Sequence, residues 1–142
     1  SKYYQLYRSG FNVFKNSPIL GVGNKNYRVE SCKDLEKMTK FKYKCTTHPH
    51  QVYIEFLAEH GALGTIILLS LFFLLIFKDL KKIIYSKNLI QIGAFIYLLS
   101  SFLPLLPSGS FFTDYNITLF FINLSFMYAV NKNTNIFFVE KK

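Results

Sequence analysis

Two histidines stand in the run Thr47-His48-Pro49-His50-Gln51, and after nine intervening residues comes Gly61-Ala62-Leu63-Gly64. Imidazole is the side chain whose ordinary pKa lies nearest neutrality, which makes His50 a candidate to exchange a proton with a substrate. Thr46, Thr47 or His48 is expected to cap a helix with Pro49 in its first turn, where the missing N–H costs nothing. The opening N–H groups and positive dipole end of that helix would then lie beside His50 and make an anion site. His48 on this reading supports the helix start. Glu55 and Glu59, one turn apart, are placed to orient a partner arginine.

The chain has two arginines, Arg8 and Arg28. Arg8 falls in a segment where Tyr3, Tyr4, Tyr7, Phe11 and Phe14 recur at helical spacing with Lys2 and Lys15 interleaved. Such a segment reads as an amphipathic helix lying in a membrane interface, with Arg8 as a headgroup anchor. Asn16-Ser17-Pro18 stops it, and Ile19-Leu20-Gly21-Val22-Gly23 is a tight return. Its Gly-x-Gly pair is weak evidence for phosphate binding, because no strand precedes it. Residues 28 to 44 are charged and irregular and read as a solvent loop. Cys32 and Cys45 fall at its edges, and in an oxidising compartment a disulfide there would contribute roughly 3 kcal/mol. Two free thiols are the alternative. The pair is too sparse for a zinc site, and no metal or other cofactor is expected.

The elements that must hold these residues are apolar. No charge occurs from Gly61 to Phe77, from Leu89 to Leu106 or from Tyr115 to Val130. None of these stretches carries the polar stripe of a helix in a soluble bundle, so three transmembrane helices are expected, at residues 61–78, 89–106 and 115–130. Lys78, Lys81, Lys82 and Lys87 crowd the short connection 79–88, whereas the turn 107–114 has no basic residue. By the positive-inside rule the lysine loop and the tail 131–142 are cytoplasmic, and residues 1–60 and 107–114 are periplasmic. Ten of the seventeen basic residues lie in the first 44 positions, on the outer side, at a length where that rule weakens. The expected fold is an all-α, polytopic membrane protein fragment with short amphipathic helices in an amino-terminal periplasmic loop. Asn116, Thr118, Asn123 and Ser125 give the third span more polar groups than a lipid-facing helix tolerates, so upstream transmembrane helices of a longer parent protein are expected to receive them.

These residues resemble the O-antigen ligase and polymerase superfamily of bacterial envelope glycosyltransferases. The ligase signature, a histidine followed by Asn, Ser or Gln, nine residues and Gly-x-x-Gly, is met by His50, Gln51, Gly61 and Gly64. Further similarities are Arg8 ahead of an aromatic helix, the stretch Ser17-Pro18-Ile19-Leu20-Gly21-Val22-Gly23, and the turn that includes Pro107-Ser108-Gly109-Ser110-Phe111-Phe112. The resemblance implies transfer of a glycan from an undecaprenyl diphosphate carrier to an acceptor hydroxyl, on lipid A core or another glycan, at the periplasmic face of the inner membrane. It makes His50 the general base or a residue that holds the acceptor, and Arg8 a guanidinium that neutralises the diphosphate, with Arg28 as a second candidate. Gln51 and His48 join them as substrate-binding candidates, and Gly61 and Gly64 serve a close helix approach. Lacking the basic residues that family members contribute from upstream helices, the chain alone is expected to be inactive.

An O-antigen polymerase or a protein O-oligosaccharyltransferase is the alternative within that class. Outside it stands a non-catalytic membrane anchoring or assembly module, supported by the formal charge of +9 and the aromatic-basic segment. Its partners would be membrane lipids or anionic polymer, and no nucleic acid partner is expected. A transporter is disfavoured, because no span carries an ionisable residue at mid-depth.

Overall fold

The computed structural model describes residues 2–33, 44–104 and 106–135, which form helices and turns with no strand among them. In chain order the helices are α1 (Lys2–Asn16), α2 (Tyr27–Ser31), α3 (Val52–Phe77), α4 (Leu80–Ser86), α5 (Leu89–Ser100) and α6 (Asp114–Ala129). Three starts carry side-chain caps: Gln51 accepts from the Ile54 N–H, Asn88 from those of Ile90 and Gln91, and Thr113 from that of Asn116. Each removes a donor that a helix start would otherwise leave unpaired.

Among the described residues one helix, continuing from α3 to Ser86, is long and apolar enough to cross a membrane. Only 22% of its most apolar 18-residue stretch is buried against the rest of the described residues. Its Leu63, Ile66, Ile67, Leu71 and Leu74 face outward. The other two apolar stretches are helical but shorter. α5 has 12 residues, about 18 Å, against the roughly 30 Å of a bilayer core. It ends at Ser100, well before Leu106, as Pro104 disfavours helical geometry in its neighbourhood. α6 has 16 residues, about 24 Å. The lysine connection 79–88 contains α4, docked through the buried Ile83.

α5 and α6 run antiparallel, because Gln91 at the start of α5 donates to the Met127 carbonyl (2.6 Å) and to Thr134 Oγ1 (2.8 Å) beyond the end of α6. Gln91 is fully buried, and its Oε1 accepts from Ser86 and Asn131. At mid-height the rings of Phe72, Phe102, Phe111 and Phe120 pack with centroids 5.1–5.8 Å apart. Tilted and edge-on pairs of this kind join aromatic burial to a favourable quadrupole geometry.

α1 lies against the opening of α3 by its narrow face, Leu6, Ser9, Gly10 and Val13. Contact is so close at Gly10 that a Cβ there would stand 2.2 Å from Ile54 Cγ2. The aromatic side therefore points away from the protein, with Tyr3, Tyr4 and Phe11 each about half exposed or more.

Within α3 the helix breaks at Gly61, whose φ of 64° and ψ of −174° leave the helical region. A break there frees the carbonyls of Ala58 and Glu59 and the N–H groups of Ala62 and Leu63, which an unbroken helix would pair with each other. The return after α1 replaces all four partners. Val22 N donates to Ala58 O (3.0 Å), Gly23 N to Glu59 O (2.8 Å), Ala62 N to Pro18 O (2.8 Å) and Leu63 N to Ile19 O (3.2 Å). A Cβ on Gly21 would meet the Glu59 carbonyl at 2.4 Å, and one on Gly61 the Ile19 oxygen at 2.3 Å. The two glycine motifs are thus the halves of one joint. At Gly64 a Cβ would meet His60 of its own helix at 2.7 Å.

Candidate functional site

The joint divides α3 into an apolar upper length and a short opening segment, Val52–His60, that carries ionisable groups. The segment starts later than the sequence suggests. Gln51 is the cap, with Oε1 2.8 Å from Ile54 N, and Pro49 lies two residues before it. Asn, Ser and Gln share a side-chain oxygen able to accept that N–H, which gives a physical reason for their interchange after the histidine. Gln51 is buried and spends Nε2 on the Pro104 carbonyl (3.3 Å), so its groups serve the scaffold.

His50 takes a left-handed conformation, φ 56°, immediately before the cap. Its carbonyl accepts from Ser108 N (3.0 Å), tying it to the turn between α5 and α6. The His50 and His48 rings are in contact, with centroids 4.0 Å apart and planes tilted by 43°. His48 is half-buried, with Nδ1 3.0 Å from Thr47 Oγ1 and Nε2 enclosed without a partner. Burial, and then His50, push the His48 pKa below its ordinary value and favour the neutral ring.

Glu55 is buried at the centre of this end. Its carboxylate accepts from Ser110 Oγ and, at 3.0 Å, from Phe111 N, so it clamps the 107–113 turn onto α3. Burial raises its pKa to about 7, against the opposing pull of those two bonds. One turn on, buried Glu59 accepts from Tyr27 N (3.4 Å) and keeps the second oxygen unpartnered. Its pKa is also raised by burial. Neither glutamate orients an arginine in the bonds described here. Both hold backbone.

The turn before α2, the histidine run and the 107–113 turn enclose a cavity of about 410 Å³ lined by Lys25, Arg28, Thr47, His48, Glu59, Ser110 and Thr113. Two permanent cations, an imidazole and three hydroxyls outnumber the single carboxylate of Glu59 and suit an anionic ligand rich in oxygen, such as a phosphate ester. His50 lies beside this cavity, its ring against that of His48. Arg8 does not line the cavity; it is half-buried on α1 with its guanidinium 5.7 Å from the Tyr4 ring centroid, a cation–π position. Cys32 and Cys45 are joined as a disulfide, which anchors the far end of α2 next to the approach to His48. Sequence reasoning passed over Lys25, Ser110 and Thr113. Lys25 had one available signal, its place just after the Gly-x-Gly turn, whereas Ser110 and Thr113 reach the site only through the fold.

Residues 1–69 match the family model described as O-antigen ligase. The Exopolysaccharide production protein ExoQ of Rhizobium meliloti (strain 1021) is 28% identical over 101 residues, 65% of this chain. The matched stretch covers 23% of that relative's length. No solved structure matches. The matched region contains α1, the glycine joint, the histidine run and the start of the apolar helix, and it is this part of the chain that is similar to the O-antigen ligase family.

Proposed function

We propose that this chain is the histidine-bearing part of a membrane glycosyltransferase that moves a glycan from undecaprenyl diphosphate to an acceptor hydroxyl in envelope polysaccharide synthesis. The observation that carries the reading is the cavity lined by Lys25, Arg28 and His48, with the His50 ring next to His48. The acceptor oxygen attacks the anomeric carbon, the bond from that carbon to the diphosphate oxygen breaks, and the acceptor proton passes to His50. Arg28 takes the charge that develops on the leaving diphosphate, which a guanidinium does without losing its own proton. General-base assistance of this kind is worth roughly 10² to 10⁴ in rate. His48, its neutral form favoured by burial, supports the His50 ring by direct contact.

The apolar stretches act as three spans with the site on the periplasmic side, and the disulfide suits that oxidising compartment. The ligase signature favours lipid A core as acceptor. The Rhizobium relative, named for exopolysaccharide production, favours a growing polysaccharide and hence a polymerase. Glycan profiling of cells carrying the full-length gene with His50→Ala separates these cases. Loss of all long chains from lipopolysaccharide identifies a ligase, capping with a single repeat a polymerase, and unmodified pilin a protein transferase. Unchanged glycans overturn the catalytic reading and favour an anchoring module resting on the exposed aromatic-basic side of α1.

A further inference from the structure

Lys25 combines an unfavourable backbone with a position on the cavity wall. Its φ of 61° lies in the left-handed region, where Cβ crowds the following carbonyl and where Gly or Asn is the cheaper residue. Asparagines stand on both sides of it, at Asn24 and Asn26, yet the lysine occupies the strained place. The conformation is imposed from outside. Gly23 N is bonded to the Glu59 carbonyl, and the Glu59 carboxylate takes the Tyr27 N–H, so the turn is gripped on both sides of Lys25 by one residue of α3. Asn26 closes it by donating from its side chain to the Val22 carbonyl (3.0 Å). Two carboxylates stand near the ammonium: Glu59 on the same cavity, whose charged form Lys25 favours, and Asp114, 4.0 Å away and fully exposed, where water and salt screen the attraction.

The geometry points to Lys25 as a ligand of the donor's diphosphate, set on the cavity wall beside Arg28 by the grip of Glu59 on the 23–27 turn. This rests on the glycan-donor reading above and adds to it a second cation and its positioning residue. Arg28 offers a planar fork to two phosphate oxygens, whereas Lys25 adds a compact charge able to follow either phosphate. Backbone strain at a residue whose side chain faces a binding cavity is expected where a tightly held turn maintains it.

Titration of the full-length protein in detergent with farnesyl diphosphate, paired with thermal unfolding, tests the assignment. Lys25→Asn is expected to weaken binding about tenfold while the thermal midpoint holds or rises, because Asn accepts the left-handed conformation more readily. Lys25→Arg, which keeps the charge, is expected to bind within about twofold of the parent. Unaltered binding in Lys25→Asn overturns the proposal, as does a fall in affinity and midpoint together, the mark of a structural residue. Equal displacement of the probe by phosphatidylglycerol overturns it in favour of a lipid headgroup site. Failure of the unsubstituted protein to bind farnesyl diphosphate removes the glycan-donor reading itself, whereas binding that Lys25→Asn leaves unchanged removes only the role of Lys25.

Discussion

His48 and His50 divide two duties that their sequence proximity does not separate. His48 lines the cavity with one nitrogen enclosed, and His50 packs against it from the bend before the helix cap, where its carbonyl is bonded to Ser108 N. On this arrangement His50→Ala in the full-length protein should lower the transfer rate by roughly 10² to 10⁴, measured as glycan transferred from a lipid-linked donor. Glu55 gives a prediction of a different kind. Its pKa in the folded chain is about 7 against an ordinary 4.5, so the folded state holds that proton more tightly than the unfolded state. The stability it contributes is complete below about pH 4.5 and is lost as pH rises through about 7. Glu55→Gln keeps an acceptor for Phe111 N and a group for Ser110 Oγ without the buried charge. It should therefore raise stability at pH 8 by roughly 1 to 3 kcal/mol and change little at pH 5, as read from thermal midpoints in detergent.

At the scale of elements, the interlock between the Pro18–Gly23 return and the break in α3 ties the front of the chain to the apolar helix. Four backbone bonds cross it, one for each group that the break at Gly61 releases. Gly61→Ala meets both an unfavourable φ and the Ile19 oxygen at 2.3 Å, and should destabilise by about 3 kcal/mol or more. Gly21→Ala should cost a similar amount, since its Cβ would enter the Glu59 carbonyl. Both changes open the same joint, so the double variant should fall well short of the sum, measurable as coupling in a double-mutant cycle on thermal unfolding. Strictly additive effects would mean that the two glycines act in separate structures.

For the whole molecule, the bonds sort the polar segments to opposite ends of the apolar helices. His50 to Ser108, Glu55 to Ser110 and Phe111, and Lys25 to Asp114 gather the histidine run, the α2 turn and the 107–114 turn at one end. Ser86, Gln91, Asn131 and Thr134 meet at the other, beyond α4 and its Asp79–Lys82 pair. Lysine placement predicts that the second end is cytoplasmic. Lys87→Cys should accordingly react with a membrane-impermeant thiol reagent only in inverted vesicles, and Asp114→Cys only in intact spheroplasts. Labelling of both from the same side would overturn the topology.

The residues and their spacing carried the helical class, the histidine run and, of three expected spans, the one long apolar helix, since helical periodicity, proline stops and charge-free length are local properties of the chain, whereas the pairing of the two glycine motifs is tertiary. They also paired Cys32 with Cys45 as an option that the structure adopts. Local rules failed where one stretch of chain satisfies another. The cap moved to Gln51 because the preceding bend is held by Ser108, and the glutamates hold backbone because the 25–27 and 107–113 turns deliver unpaired N–H groups to them. Arg8 fell outside the cavity, as α1 docks through its small residues and turns that side chain toward Tyr4. Lys25 and the hydroxyls of Ser110 and Thr113 entered the site from segments about 85 residues apart. No local pattern encodes such a meeting; it follows from which backbone groups a broken helix leaves to be paired.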